Sequence, residues 1–299
     1  MTMCDDREAP TEAKQFASHD DLAKSCQFVA TLCLARYRPD RSFAPDPGEL
    51  TGTVTFLEIL GKTYAVTAHH VIEQLDKQAA HHGVLPGSYF LPIHPGFRLG
   101  GPFIQAPVDA AAIRPADVAL RPIPPELPAS IGKRAFVVTE ANCAPATITH
   151  GQAVGFPTGA KEDTRDNLGV RVAMPCVHAI AEFGSANVDR ASFYSPLAEF
   201  PENVSLSGMS GGPVFWTDGD EYGLAGIVIE SIDAGPDEPI YNVPMVHFSA
   251  QRVDYETLLR WAAEADAKWP AARAALNERA KVLQEQYQHA TALGVPPPL

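Results

Sequence analysis

Between Gly52 and Thr67 polar and apolar positions alternate with few breaks, in GTVTFLEIL and then KTYAVT, on either side of Gly61 and Lys62. A period of two sends successive side chains to opposite faces, so the stretch predicts two half-buried strands joined by a tight turn. Turn clusters such as RPDRSFAPDPGE (38–49) and LPGSYFLPIHPGF (85–97) separate further short strands up to about Ile123. A second run of strands occupies about 133–249, including RAFVVTE, QAVGFP, GPVFW, GLAGIVIE and VPMVHFS. The proline-rich RPIPPELPAS (121–130) reads as the crossing between the two groups. The first 24 or so residues read as a mobile or partly helical arm. Near the carboxyl end the period changes. In VDYETLLRWAAEA, Leu258, Trp261, Ala262 and Ala265 follow i, i+3, i+4, i+7 spacing, which predicts an amphipathic helix capped by Asp254. Pro270 is placed to open a second helix, striped by Leu276, Ala280, Leu283, Tyr287 and Ala290 and ended by Gly294 and Pro296 to Pro298. Such a stripe packs on its own domain or mediates self-association or contact with a regulatory partner.

Composition narrows the function. A chain of 299 residues with 45% apolar content can bury substantial cores, and 27 prolines with 22 glycines suit a loop-rich β protein. A net charge of −13 argues against nucleic-acid binding, which needs clustered Lys and Arg. The acidic, polar amino terminus lacks the apolar core of a secretory signal and no stretch reaches membrane-spanning length, so no membrane association is expected and cytoplasmic residence is the expectation. Cys4, Cys26, Cys33, Cys143 and Cys176 are odd in number and lack CxxC spacing, which predicts reduced thiols. His81, His82 and His94 have no carboxylate or cysteine partner at ligand spacing, so they predict no metal site.

The candidate chemistry centres on GMSGGPVF (208–215). Gly-Ser-Gly runs are common in plain loops, but here Gly208, Gly211 and Gly212 allow a tight turn that exposes the Ser210 hydroxyl beside backbone N–H groups. A serine is inert without a base and an orienting acid. Histidines occur in Thr67-Ala68-His69-His70-Val71, and Asp117 heads the apolar run Asp117-Val118-Ala119-Leu120.

The order His, Asp, Ser with these local motifs resembles the trypsin-like (chymotrypsin-fold) serine peptidases, over roughly residues 26 to 262. TAHHV resembles the family's Thr-Ala-x-His pattern and selects His70 rather than His69 as the base. DVAL resembles the strand of the orienting aspartate, GMSGGP the nucleophile loop, and GLAGIVIES (223–231) the strand lining the substrate cleft. Gly155-Phe156-Pro157 resembles a Gly-aromatic-Pro turn of bacterial and viral members. The resemblance implies an all-β fold of two six-stranded antiparallel β-barrels with C-terminal helices. Its expected layout is an arm over 1–25, a first barrel over 26–125, a second over 126–250 and a helical extension over 251–299, with separate cores flanking the cleft.

It also implies a serine endopeptidase acting on protein or peptide substrates through an acyl-enzyme. Ser210 attacks, His70 carries the proton, Asp117 orients the imidazole, and the N–H groups of Gly208 and Ser210 hold the oxyanion. No metal or organic cofactor is required. By the same alignment Val204, Ser205, Ile229, Glu230 and Ser231 line the substrate pocket, with His247 beneath it. Val71 stands where secreted animal members carry a bridging cysteine. Met209 stands where zymogen-activated members carry an aspartate, and no Ile-Val-Gly-Gly-like activation site occurs, so the closer resemblance is to bacterial members. The alternative is a catalytically lapsed peptide-binding or regulatory module on the same fold, against which the intact triad letters argue. An α/β-hydrolase is excluded by order, since its acid and histidine follow the serine.

Overall fold

A computed structural model describes residues 24–38, 43–93, 96–108, 115–143, 148–166, 169–199, 205–218, 221–233 and 244–292. The strands of the first half are β1 (Val29–Leu34), β2 (Gly52–Ile59), β3 (Lys62–Thr67), β4 (Ser88–Leu91), β5 (Phe97–Gly100), β6 (Ile104–Gln105), β7 (Ala119–Ile123) and β8 (Phe136–Val137). Those of the second half are β9 (His150–Gly155), β10 (Glu162–Asp166), β11 (Gly169–Ala173), β12 (Val177–Ala186), β13 (Arg190–Pro196), β14 (Pro213–Asp218), β15 (Glu221–Asp233) and β16 (Met245–Arg252). Among the described residues the α-helical segments include α1 (His69–His81), the single turn α2 (Leu127–Ser130) and α3 (Tyr255–Ala292).

The second half meets the expectation of a barrel. Strands β12, β13, β16, β15, β14 and β9 close on one another in that order, and β10 with β11 form a separate ribbon. The first half departs from it. Its strands form one eight-stranded sheet in the order β5-β4-β1-β2-β3-β7-β6, with β8 added in parallel on β2. The sheet curls without closing: its two end strands, β5 and β6, are successive in the chain, joined by Gly101-Pro102-Phe103, and do not pair with each other. Arg121, buried on β7, fills the seam by donating from Nη1 to the carbonyls of Leu99 at 3.2 Å and Gly101 at 3.4 Å. Burial pulls this guanidinium down to about 10.

Two separate cores are also not what is observed. One buried cluster fills the first sheet around Leu32, Phe56 and Leu75, and another fills the barrel around Phe193, Trp216 and Phe248. A third draws on both halves and on α3, joining Leu57, Tyr64 and Leu120 to Val154, Phe215, Ile227, Leu258 and Trp261. The halves therefore share apolar surface, which restricts their relative motion.

The two C-terminal helices predicted from Pro270 are one continuous helix, α3, with that proline inside it. A helix-interior proline costs about 3 kcal/mol, and tertiary contacts outweigh it here. Leu258, Trp261, Ala262 and Ala265 are buried, the Trp269 Nε1–H donates to the Pro102 carbonyl at 3.2 Å, and Lys62 pairs with Asp266 at 2.6 Å. Asp254 caps the helix as expected, accepting from the Thr257 N–H at 2.7 Å. Of the later stripe, Leu276 and Ala280 are half-buried and Leu283 is exposed. Gly294, Pro296 to Pro298, His94, Val204 and the arm before residue 24 lie outside the described residues. Among the described residues no helix is long and apolar enough to cross a membrane.

Candidate active site

The sequence TAHHVIEQLDKQAA does not end at a turn, as read from the sequence, but runs into α1, whose Val71, Ile72, Leu75 and Ala79 face the first-sheet core. The helix begins after Ala68, which offers no side chain to its free N–H groups. Asp117 supplies what Ala68 lacks. The His69 N–H donates to the Asp117 carbonyl at 3.2 Å, and the His70 N–H to Asp117 Oδ1 at 2.9 Å. The second carboxylate oxygen, Oδ2, lies 2.7 Å from His70 Nδ1. An ionised carboxylate can only accept, so Nδ1 carries the proton and the Nε2 lone pair is left open. Asp117 thus anchors His70 by backbone and ring together, in the field of a helix N-terminus that favours its negative charge. Its own N–H donates to Gln251 Oε1 at 3.3 Å, and Gln251 Nε2 donates to the Asp189 carbonyl at 2.7 Å, which ties the acid to the barrel.

Burial works against the Asp117 charge, but the bonds from the His70 ring and backbone outweigh it and hold the carboxyl below the ordinary carboxylate range. A depressed folded-state value stabilises the fold above the unfolded value of about 3.9, and that contribution is lost as pH falls through the lower folded value. The difference in melting temperature between the unmodified chain and Asp117→Asn should therefore be full at neutral pH and shrink towards pH 3 or so. Thermal melts across this range check it, and a constant difference would show that the charge is not what Asp117 contributes.

His69 turns elsewhere. Its Nε2 lies 3.6 Å from Glu73 Oε1 one helical turn on.

Ser210 sits half-buried in a turn that is knitted to the first sheet although it belongs to the second half. The Thr53 N–H donates to the Ser210 carbonyl at 3.0 Å, the Thr53 hydroxyl to the Gly208 carbonyl at 3.0 Å and the Thr55 hydroxyl to the Gly211 carbonyl at 2.8 Å. From its own barrel, the turn is held by the Gly211 N–H on the Val228 carbonyl and the Val228 N–H on the Gly212 carbonyl, each at 2.8 Å. Gly208 and Gly211 have φ of 99° and 92°, backbone that L side chains rarely adopt. Gly211 also packs against the Thr53 carbonyl, the Thr67 hydroxyl and, at 3.0 Å from where a Cβ would stand, the Ala68 nitrogen. The turn therefore lies against the residues that lead into His69 and His70. Neither Gly208 nor Ser210 gives its N–H to another described backbone group, whereas Met209, Gly211 and Gly212 all do. Two free donors flanking Met209 in the turn that carries a hydroxyl can hold a developing oxyanion.

The remaining expected residues that are described lie on β15, on β16 and before the Ser210 turn. Ile229 is buried, Glu230 exposed and Ser231 half-buried on β15, at a bulge where Val228 opposes Ala250 and Glu230 opposes Ser249. A bulge re-aims the side chain it inserts. Ser205 is half-buried just before the Ser210 turn. His247, on β16, is within hydrogen-bond distance of the Ser192 hydroxyl at 2.9 Å from Nε2, and burial lowers its pKa against the opposing effect of Glu230.

One group of reactive side chains escaped the sequence reading because Cys26 lies about 150 residues before Cys176 and His178 in the chain. Cys26, Cys176 and His178 have their sulfur and nitrogen atoms within 4.8 Å of one another. A hydrogen bond from Cys176 draws the Cys26 thiol down to about 5 against its burial, with His178 adding to the effect, while the same bond and burial push Cys176 up. Cys33 and Cys143 are buried elsewhere, and all four described cysteines are free thiols.

No protein-family model matches the sequence, and no curated relative aligns with it. Among solved structures the chain is similar to the scabies mite inactivated protease paralogue S-I1, at 14% identity over 82% of this chain and 96% of that one, with a TM-score of 0.44. It is also similar, at 11% identity and a TM-score of 0.35, to a chain from a structure on the coupled folding and binding of the intrinsically disordered Sesbania mosaic virus VPg protein, covering 73% of this chain and 85% of that one. Similarity at this level assigns neither family nor activity.

Proposed function

We propose that the chain is a serine endopeptidase that cleaves protein or peptide substrates through a Ser210 acyl-enzyme. The observation that carries this reading is the two-point grip of Asp117 on the backbone and ring of His70, with the Ser210 turn packed against the residues just before that histidine. A helix N-terminus could be capped by any Asp or Ser. Orienting an imidazole at the same time leaves one ring nitrogen protonated and the other basic, as a general base needs. In the reaction, His70 Nε2 takes the Ser210 proton as Oγ attacks the carbonyl, and the N–H groups of Gly208 and Ser210 stabilise the tetrahedral oxyanion. His70 then returns the proton to the leaving amine, and water repeats the sequence on the acyl-enzyme.

Specificity follows from the pocket expected around Val204, Ser205, Ile229, Glu230 and Ser231. An aliphatic floor gives no partner for a buried lysine or arginine, so cleavage after these residues should be poor and small or medium apolar residues should be preferred. A peptide library profiled with the purified chain and with Ser210→Ala tests both claims together. Cleavage that vanishes in the variant supports the peptidase. Dominant cleavage after Lys or Arg would contradict the pocket, and dominant cleavage after Glu or Gln, lost in His247→Ala, would assign recognition to His247.

A further inference from the structure

The Ser210 site does not use the cluster at Cys26, Cys176 and His178. Cys26 opens the short 3-10 turn that leads into β1, while Cys176 directly precedes β12 and His178 is its second residue. Two segments, 152 residues apart from Cys26 to His178, thus bring two sulfurs and an imidazole to one point. The Cys26 Sγ lies 3.1 Å from His178 Nε2, and all three donor atoms fall within 4.8 Å of one another. A tetrahedral ion bound at about 2.3 Å by sulfur and about 2.0–2.1 Å by nitrogen spaces its ligands about 3.5–4 Å apart, so a small adjustment would seat one.

The other ring nitrogen is also provided for. His178 Nδ1 lies 2.9 Å from the Gln152 amide and 3.4 Å from the Ser25 hydroxyl, and Ser25 and Gln152 are both buried and bonded to each other at 3.2 Å. When Nε2 binds a cation, Nδ1 must carry the proton, and either the Ser25 oxygen or the Gln152 carbonyl, after a turn of its amide, accepts it. Lys133 donates to the Cys26 carbonyl at 3.0 Å, fixing the backbone of that ligand.

We propose that Cys26, Cys176 and His178 form a binding site for one zinc ion, which cross-links the segment leading into the first sheet to the closed barrel. Two thiolates and an imidazole suit zinc over magnesium or calcium, and the two negative sulfurs neutralise its charge. Binding displaces any proton still held by the two thiols to solvent and involves no change in oxidation state. Three protein ligands leave a fourth position for water.

The test uses the full chain, stripped with a chelator and titrated with Co2+ and then Zn2+. One equivalent of Co2+ should give thiolate-to-metal charge-transfer absorption that Zn2+ abolishes. Zinc at about a hundred times its Kd should raise the melting temperature on the order of 5 °C. It should also protect Cys26 and Cys176, but not Cys143, from an alkylating reagent mapped by mass spectrometry. Cys26→Ser and Cys176→Ser should each weaken Co2+ binding tenfold or more, roughly the scale seen when metal-site partners are lost. The alkylation map needs no variant, so it decides the matter even if the substitutions impair folding. Absence of the charge-transfer band, its persistence in both cysteine variants, or unchanged alkylation of Cys26 and Cys176 with zinc present would each overturn the site.

Discussion

Ser210→Ala should lower kcat/KM on peptide substrates by about a million-fold and leave the melting temperature nearly unchanged. The expectation of unchanged stability is specific. The turn is held by backbone groups of Gly208, Ser210 and Gly211 on Thr53 and Thr55, and none of these bonds uses the Ser210 hydroxyl. His70→Ala should cost about as much, and the double variant little more than either, because nucleophile and base act as one unit. His69→Ala should be mild, since that ring faces Glu73. Initial rates for the four variants decide it. A chain in which His69→Ala abolishes activity and His70→Ala spares it would contradict the assignment of the base.

Gly211→Ala should be strongly destabilising. It combines a φ of 92° with a Cβ that would overlap the Thr53 carbonyl and the Thr67 hydroxyl, both buried and unable to retreat. Backbone strain of about 1–3 kcal/mol and overpacking of about 1–3 kcal/mol together predict a loss of about 2–6 kcal/mol, or roughly 3–10 °C in melting temperature for a chain of this length. Two other glycines separate the contributions. Gly61 has a φ of 73° but open space around it, so alanine there should cost only strain, and Gly48 has neither constraint and should be near neutral. If Gly211→Ala melts with Gly61→Ala, the nucleophile turn does not pack on the first sheet as described.

Much of the site was legible because its chemistry is local. Paired glycines announce a backbone that needs positive φ, the histidines follow the alternating run of β3, and Asp117 heads the apolar run that leads into β7. The start of α1 was not legible although Val71, Ile72, Leu75 and Ala79 carry a helical period, because Ala68 at its head is no capping residue and the cap comes from Asp117, far away in the chain. Sheet closure was not legible at all. Whether the end strands β5 and β6 pair has no periodic signature, and neither has Arg121 reaching the carbonyls of Leu99 and Gly101 from β7. The break at Pro270 was wrong because propensity counts only the local cost, while Trp269 and Asp266 engage the first half of the chain. The cluster of Cys26, Cys176 and His178 is set by how the amino-terminal segment crosses the barrel, which ligand spacing along a sequence does not encode.

The central claim is that Ser210 is an activated nucleophile. Incubating the purified chain with a fluorophosphonate and mapping the adduct by mass spectrometry tests it without knowledge of the natural substrate. The account predicts rapid, stoichiometric labelling of Ser210 that is lost on unfolding and in His70→Ala. An intact, folded chain whose Ser210 stays unlabelled under every condition would contradict it and leave a peptide-binding module on the same scaffold.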